Sequence, residues 1–105
     1  MKPKVQKALV AANAAQTAVQ CARFALTLVE ADPSDWAFAD QVYWLLRAAQ
    51  AECENAADAL DPEEAAEDDS VLYAHLTATD AADKACGYAD ELVSVAEAAN
   101  HEIRR

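Results

Sequence analysis

Apolar residues recur three and four positions apart along almost the whole chain. The first seam runs through Ala8, Ala11, Ala15, Ala18, Ala22, Ala25 and Val29, flanked by Val5, Leu9, Ala12, Val19 and Leu26. A second runs through Val42, Leu46, Ala49, Cys53, Ala56 and Leu60, and a third through Leu72, His75, Thr79, Ala82, Cys86, Ala89, Val93, Ala96, Asn100 and Ile103. That period belongs to helices rather than to strands, whose side chains alternate from residue to residue. Two breaks interrupt it. At Asp32-Pro33-Ser34-Asp35 the proline disfavours helix at Asp32, and Ser34 or Asp35 can cap the second helix. Between Asp61 and Ser70, Pro62 comes directly after one capping Asp, and Asp68-Asp69-Ser70 offers another cap before Val71-Leu72-Tyr73.

The pattern predicts three long helices over residues 3–31, 35–60 and 70–103, with a short fourth helix at 62–67. At ~1.5 Å rise per residue the long helices are rods of roughly 40 to 50 Å. Short connections make neighbouring helices antiparallel, and alanine at the seams lets them approach closely. The expected fold is therefore all-α: one domain spanning 1–105, an antiparallel three-helix bundle with coiled-coil-like, Ala-rich packing.

Composition sharpens this reading. Leu, Ile, Val and Phe number only 20 of 105 residues, which for a highly charged chain borders on disorder. The 28 Ala, with one Gly and three Pro, move the balance back to helix, because propensity is high and turns are few. An all-β or doubly wound fold is excluded.

Charge is segregated along the chain. The formal net charge is -11, but residues 1–29 hold Lys2, Lys4, Lys7 and Arg23 with no acid, while 30–105 hold 19 acids and four bases, +4 against -15. Lysines in a first helical turn oppose the macrodipole by a few tenths of a kcal/mol each, so a compensating contact is expected. In an up-down-up bundle the 61–70 connection lies beside the start of the first helix, so its acids would face Lys2, Lys4 and Lys7. Arg104 and Arg105 would meet Glu30, Asp32 and Asp35 at the other end. Exposed pairs of this kind contribute about 0 to 1 kcal/mol each and orient more than they stabilise.

Cys21, Cys53 and Cys86 are single, widely spaced and odd in number, which suits a reducing compartment and predicts free thiols in a cytoplasmic protein. The N-terminus imitates a secretion signal, but Asn13, Gln16 and Gln20 interrupt its apolar stretch and the helical period runs straight through. No segment approaches the roughly 18 apolar residues of a membrane span, so no membrane partner is expected.

Catalysis finds little support. There are two histidines: His101 falls in the fraying last turns, and His75 on the third seam reads as a core residue with a satisfied ring. One glycine cannot build a phosphate-cradling loop, and no Glu-x-x-His pair offers a carboxylate di-metal site. In the expected register Cys21 and Cys86 lie at roughly 25 Å along the bundle, and Cys53 and His75 at roughly 10 to 14 Å. Four such ligands cannot converge on one ion, so the cysteines read as small core residues. The expectation is a non-enzyme with no catalytic residue, no metal and no cofactor.

The acids carry more information. Nine of the 19 crowd into Glu52 to Asp69 without a base, and Asp83, Asp90 and Glu97 add a stripe on the third helix. Such charge repels nucleic acid, lacks the central glycine of a calcium loop, and attracts basic protein surfaces. The expected partner-binding residues are Glu63, Glu64, Glu67, Asp68 and Asp69, with Tyr73, Trp36 and Tyr43 as aromatic anchors projecting from the bundle. Trp44 lies almost opposite the second seam, and Val10, Phe24 and Leu28, with Cys21, lie opposite the first. This surplus apolar surface predicts a homodimer that buries Trp44, Val10, Phe24 and Leu28. The functional expectation is a small acidic helical protein that binds and inhibits or regulates a basic protein partner, as an immunity protein, antitoxin or nucleic-acid mimic would. The alternative is a self-associating structural or scaffolding bundle whose acidity serves solubility only.

Overall fold

The computed structural model describes residues 2–103. Its elements are α1 (Pro3–Ala31), α2 (Ala37–Asp58), α3 (Pro62–Glu67) and α4 (Asp69–Ala98), and the three long helices pack on one another in a rod of 51 × 17 × 15 Å. This is the all-α bundle that the spacing predicts, with the short helix in place at 62–67 and no strand among the described residues.

The junctions are built by acids that the sequence places at them. After α1, Asp32 accepts hydrogen bonds from the Ser34 amide (3.1 Å) and hydroxyl (2.7 Å). This local turn reverses the chain around Pro33. Helix α2 then starts at Ala37 with Trp36 in the capping position and no side-chain cap, later than Ser34 or Asp35 as caps would place it. Asp61 caps α3 through the Glu63 amide at 2.9 Å, with Pro62 in the first turn. Asp68 closes α3 and caps α4 through the Ser70 amide at 2.9 Å. One residue thus ends one helix and begins the next.

Alanine dominates the interior. The whole first seam is buried, as is the whole second, to which Ala39, Tyr43 and Ala57 are added. Leu46, Leu92, Val5, Val71 and Cys53 are the largest fully buried side chains, and α1 and α4 each bury only two residues larger than alanine, against four in α2. Such a core is narrow and leaves bulky side chains outside.

The third seam is displaced from expectation by one residue. Helix α4 buries Val71, Ala74, Ala78, Ala81, Ala85 and Leu92 together with Ala82, Ala89 and Ala96, whereas Leu72 and Thr79 are exposed and His75, Cys86 and Val93 are half-buried. Seven of the eight alanines of α4, from Ala74 to Ala96, share one buried arc, whereas Leu72 and Leu76 lie off it, so the larger apolar residues point to a different face from the alanines. Close approach to α1 and α2 favours the face of small residues.

The C-terminal end also differs. Helix α4 stops at Ala98 rather than continuing to Ile103, and Asn100 takes a left-handed φ of 58°. The His101 amide bonds the Ala96 carbonyl (2.8 Å) and the Asn100 amide the Glu97 carbonyl (3.1 Å). This paired closure favours Gly or Asn at the left-handed position. The chain then folds back: Ile103 is buried, and His101 lies against Trp36 rather than fraying into solvent. The contacts expected of Arg104 and Arg105 lie outside the described residues.

Candidate functional site

The acidic end of the bundle is assembled by α3 and the first turns of α4. Glu63, Glu64, Glu67 and Asp69 are exposed, and Asp68 is braced against the start of α1. Lys2 lies within 3.1 Å of Glu64 and 3.4 Å of Asp68, the contact that the lysine-rich start of α1 requires. Both partners respond. Hydrogen bonding to Glu64 and then to Asp68 raises the Lys2 pKa, while the Ser70 amide and then Lys2 lower that of Asp68. Among the described residues no ion pair joins Lys4 or Lys7 to this connection. Lys4 lines a cleft with Asp61 and Glu64, and Lys7 one with Glu52. Two of the five predicted acids therefore serve the fold, and Glu63, Glu67 and Asp69 direct their charge outward.

Beside them stands an apolar group that the spacing only partly foretells. Tyr73 is 64% exposed, as an anchor must be, and Leu72 and Leu76 are 40% and 57% exposed. Asp69, Leu72, Leu76, Asp80 and Asp83 succeed one another three or four residues apart, so they share one stripe of α4. Carboxylates flank the leucine pair at both ends. Tyr73 stands to one side, over the groove against α1 lined by Leu9 and Val10. The periodicity assigns Leu72 to the core seam, and the structure moves it to the surface. The signal for that surface position is the run of alanines beginning at Ala74, which competes for the same interface.

Two expected anchors are corrected by the structure. Trp36 is 5% and Tyr43 6% exposed. The indole Nε1 of Trp36 donates to the Pro33 carbonyl at 2.9 Å, and one ring face is covered by His101. Tyr43 lies beneath Arg47, whose Nε donates to its hydroxyl at 3.2 Å and whose Nη2 reaches Asp90 on α4 at 2.9 Å. Both rings project sideways from α2, as the helical wheel requires, but that flank is closed by α4 and the returning tail.

The remaining chemistry-bearing side chains are dispersed. His75 meets the Ala57 carbonyl through Nδ1 at 3.3 Å, so its ring bridges α4 to α2. Cys53 is buried, and its thiol pKa is raised by burial first and then by Glu52 and Glu54. Cys86 receives an Arg47 Nη1 contact at 3.6 Å. All three cysteines are free thiols. Among the described residues no three His, Cys, Asp or Glu side chains converge as a metal ion would need, and no helix is long and apolar enough to cross a membrane.

The self-association set divides in two. Val10 and Phe24 are 63% and 57% exposed on α1, with Leu28 half-buried on the same face, and Phe24 packs edge-on to Phe38 at 5.8 Å. Trp44, on α2, is half exposed and packs edge-on to Tyr43 at 5.5 Å.

No family model, no curated protein and no solved structure matches this chain.

Proposed function

We propose that the protein is a non-enzymatic binding module that engages a basic protein partner through the α3–α4 junction and thereby blocks or regulates it, in the manner of an immunity protein, antitoxin or nucleic-acid mimic. The observation that carries this reading is the juxtaposition of Leu72, Tyr73 and Leu76, all exposed, with the outward carboxylates Glu63, Glu67, Asp69 and Asp83. An apolar centre with a charged rim is the anatomy of a protein-binding surface, and a rim that is predominantly acidic, with Lys84 paired to Asp80 as its one cation on this stretch of α4, favours a basic partner. A surface that served solubility alone has no use for three large apolar side chains among its acids. Tyr73 and the two leucines supply desolvated contact, and the carboxylates supply orientation and encounter rate.

The test is capture from the native cell at low and high salt, run in parallel with the Leu76→Asp and Tyr73→Ala variants. A basic protein retained at low salt, released by high salt and lost from both variants supports the reading. Retention indifferent to the variants sinks it. The scaffold reading draws its own support from the uncharged outer face of α1.

A further inference from the structure

Helix α1 carries two heptad seams. One is the buried seam from Ala8 to Val29. The other is Val10, Ala14, Thr17, Cys21, Phe24 and Leu28, spaced three or four residues apart on the opposite side. The bundle leaves it open: Val10, Ala14, Thr17 and Phe24 are exposed, and Cys21 and Leu28 are half-buried. Between Lys7 and Arg23 the helix bears no charged residue at all. In a chain of net charge -11, this is the face where a like-charged copy meets least repulsion.

We infer that this outer seam pairs antiparallel with the same seam of a second copy, forming a two-fold homodimer through α1. The sizes along the seam select both register and direction. When Thr17 faces Cys21 of the second copy, Ala14 faces Phe24 and Val10 faces Leu28. The largest side chain therefore meets the smallest in two symmetry-related layers. Charge selects the same direction. The exposed Lys4 and Lys7 at the start of one α1 then lie beside Glu30, Asp32 and Asp35 at the end of the other, all exposed. A parallel pair would instead bring together the lysine clusters of both copies and the acidic α3 of both copies, at a cost in repulsion. The occupant is thus another α1, whose shape and charge are complementary only when reversed. Trp44, on α2, lies off this seam, so the interface is confined to α1 and does not require the indole.

Sedimentation equilibrium on the full chain, from micromolar to submillimolar concentration, is expected to show a monomer–dimer equilibrium. Ala14→Glu places a helix-compatible charge on an exposed position, so the bundle folds, as circular dichroism will verify. This variant weakens dimerisation by at least about tenfold, since both Phe24 layers are affected. Lys4→Glu and Asp35→Lys each weaken it, and the double variant recovers it. Direction is read by mild oxidation in a Cys86→Ser background: Thr17→Cys crosslinks the dimer through Cys21, and the same background without Thr17→Cys does not. A monomer throughout the range, or association unchanged by Ala14→Glu, overturns the interface. Efficient Cys21 crosslinking without Thr17→Cys overturns the antiparallel register.

Discussion

His101 lies flat on Trp36, with ring centroids 4.6 Å apart and planes 10° from parallel, while its Nε2 reaches the Asp40 carboxylate at 3.0 Å. A residue just past α4 thereby closes the end of the bundle where α1 turns into α2. The left-handed Asn100 makes this possible, because it redirects the chain across the α2 start. Trp36 is held on three sides, by His101, by the Pro33 carbonyl and by α2 itself.

Replacing His101 with Ala removes the stacked ring and the Asp40 contact together. The expected loss is about 1 to 2 kcal/mol of stability. Trp36 emission shifts to longer wavelength as the indole gains water, and a Trp44→Phe background isolates that signal. An unchanged spectrum would show that the tail does not cover Trp36 in solution.

The narrow core makes two opposite substitutions costly. Leu46 and Ala15 are both fully buried. Leu46→Ala leaves a void where few large side chains exist to collapse into it, at a cost of about 2 to 5 kcal/mol. Ala15→Leu forces apart helices that approach on alanine, costing about 1 to 3 kcal/mol. Urea unfolding of both variants measures this. Tolerance of Ala15→Leu would mean that the helices are looser than the Ala seams imply.

The first two seams are legible in the sequence because their larger residues, Val5, Val29, Val42 and Leu46, share a face with the alanines. On α4 they do not. Val71 and Leu92 belong to the buried alanine face, while Leu72 and Leu76 sit outside it, so hydropathy points one residue away from the packing. The caps Asp61 and Asp68 act locally and are readable from short stretches of sequence. The burial of Trp36 and Tyr43 is not, because it depends on a tail that turns at Asn100 and on Arg47 reaching across to Asp90. Both are long-range contacts that no periodicity encodes. Of the candidate site, the acids and Tyr73 are visible as charge and exposure, and the leucine pair emerges only once the α4 seam is placed.

Acid should loosen the helix junctions before the helix interiors. The Asp32 pKa is lowered by the Ser34 hydroxyl and then the Ser34 amide, and that of Asp68 by the Ser70 amide and then Lys2. A carboxyl whose folded pKa lies below its unfolded value adds stability above that unfolded value, here 3.8, and loses it as pH falls through the folded one. Stability should therefore fall below about pH 4, and Asp68→Asn should flatten part of that fall. Thermal melts of both proteins between neutral and acid pH measure it. Superimposable acid limbs would remove Asp68 as a contributor.

The three thiols should separate by reactivity. Cys53 is fully buried with a raised pKa, which disfavours the thiolate that attacks disulfide reagents. Cys21 and Cys86 are half-buried and accessible. At concentrations low enough to keep the chain monomeric, two thiols should titrate in the native protein and the third only on unfolding, and Cys21 should slow as the dimer forms. A native titre of three would mean that the bundle opens around Cys53 on the timescale of the assay.

The acidic junction should divide its work between encounter and residence. Glu63, Glu67 and Asp69 direct charge outward, whereas Glu64 and Asp68 already hold Lys2, so the five acids are not equivalent. Long-range attraction sets association rates and is screened by salt, while desolvated apolar contact sets dissociation. Replacing Glu63, Glu67 and Asp69 by Gln or Asn should slow association with the basic partner about tenfold at low ionic strength and flatten its salt dependence, with helix content unchanged. Replacing Glu64 and Asp68 should lower stability as well, because those positions brace α1 and cap α4. Tyr73→Ala or Leu76→Ala should leave the association rate nearly intact and raise the dissociation rate about 10- to 100-fold, as loss of a central anchor does. Stopped-flow and surface-binding kinetics on the three sets of variants distinguish these outcomes. An association rate indifferent both to salt and to the outward acids would refute electrostatic steering and leave the bundle as a scaffold.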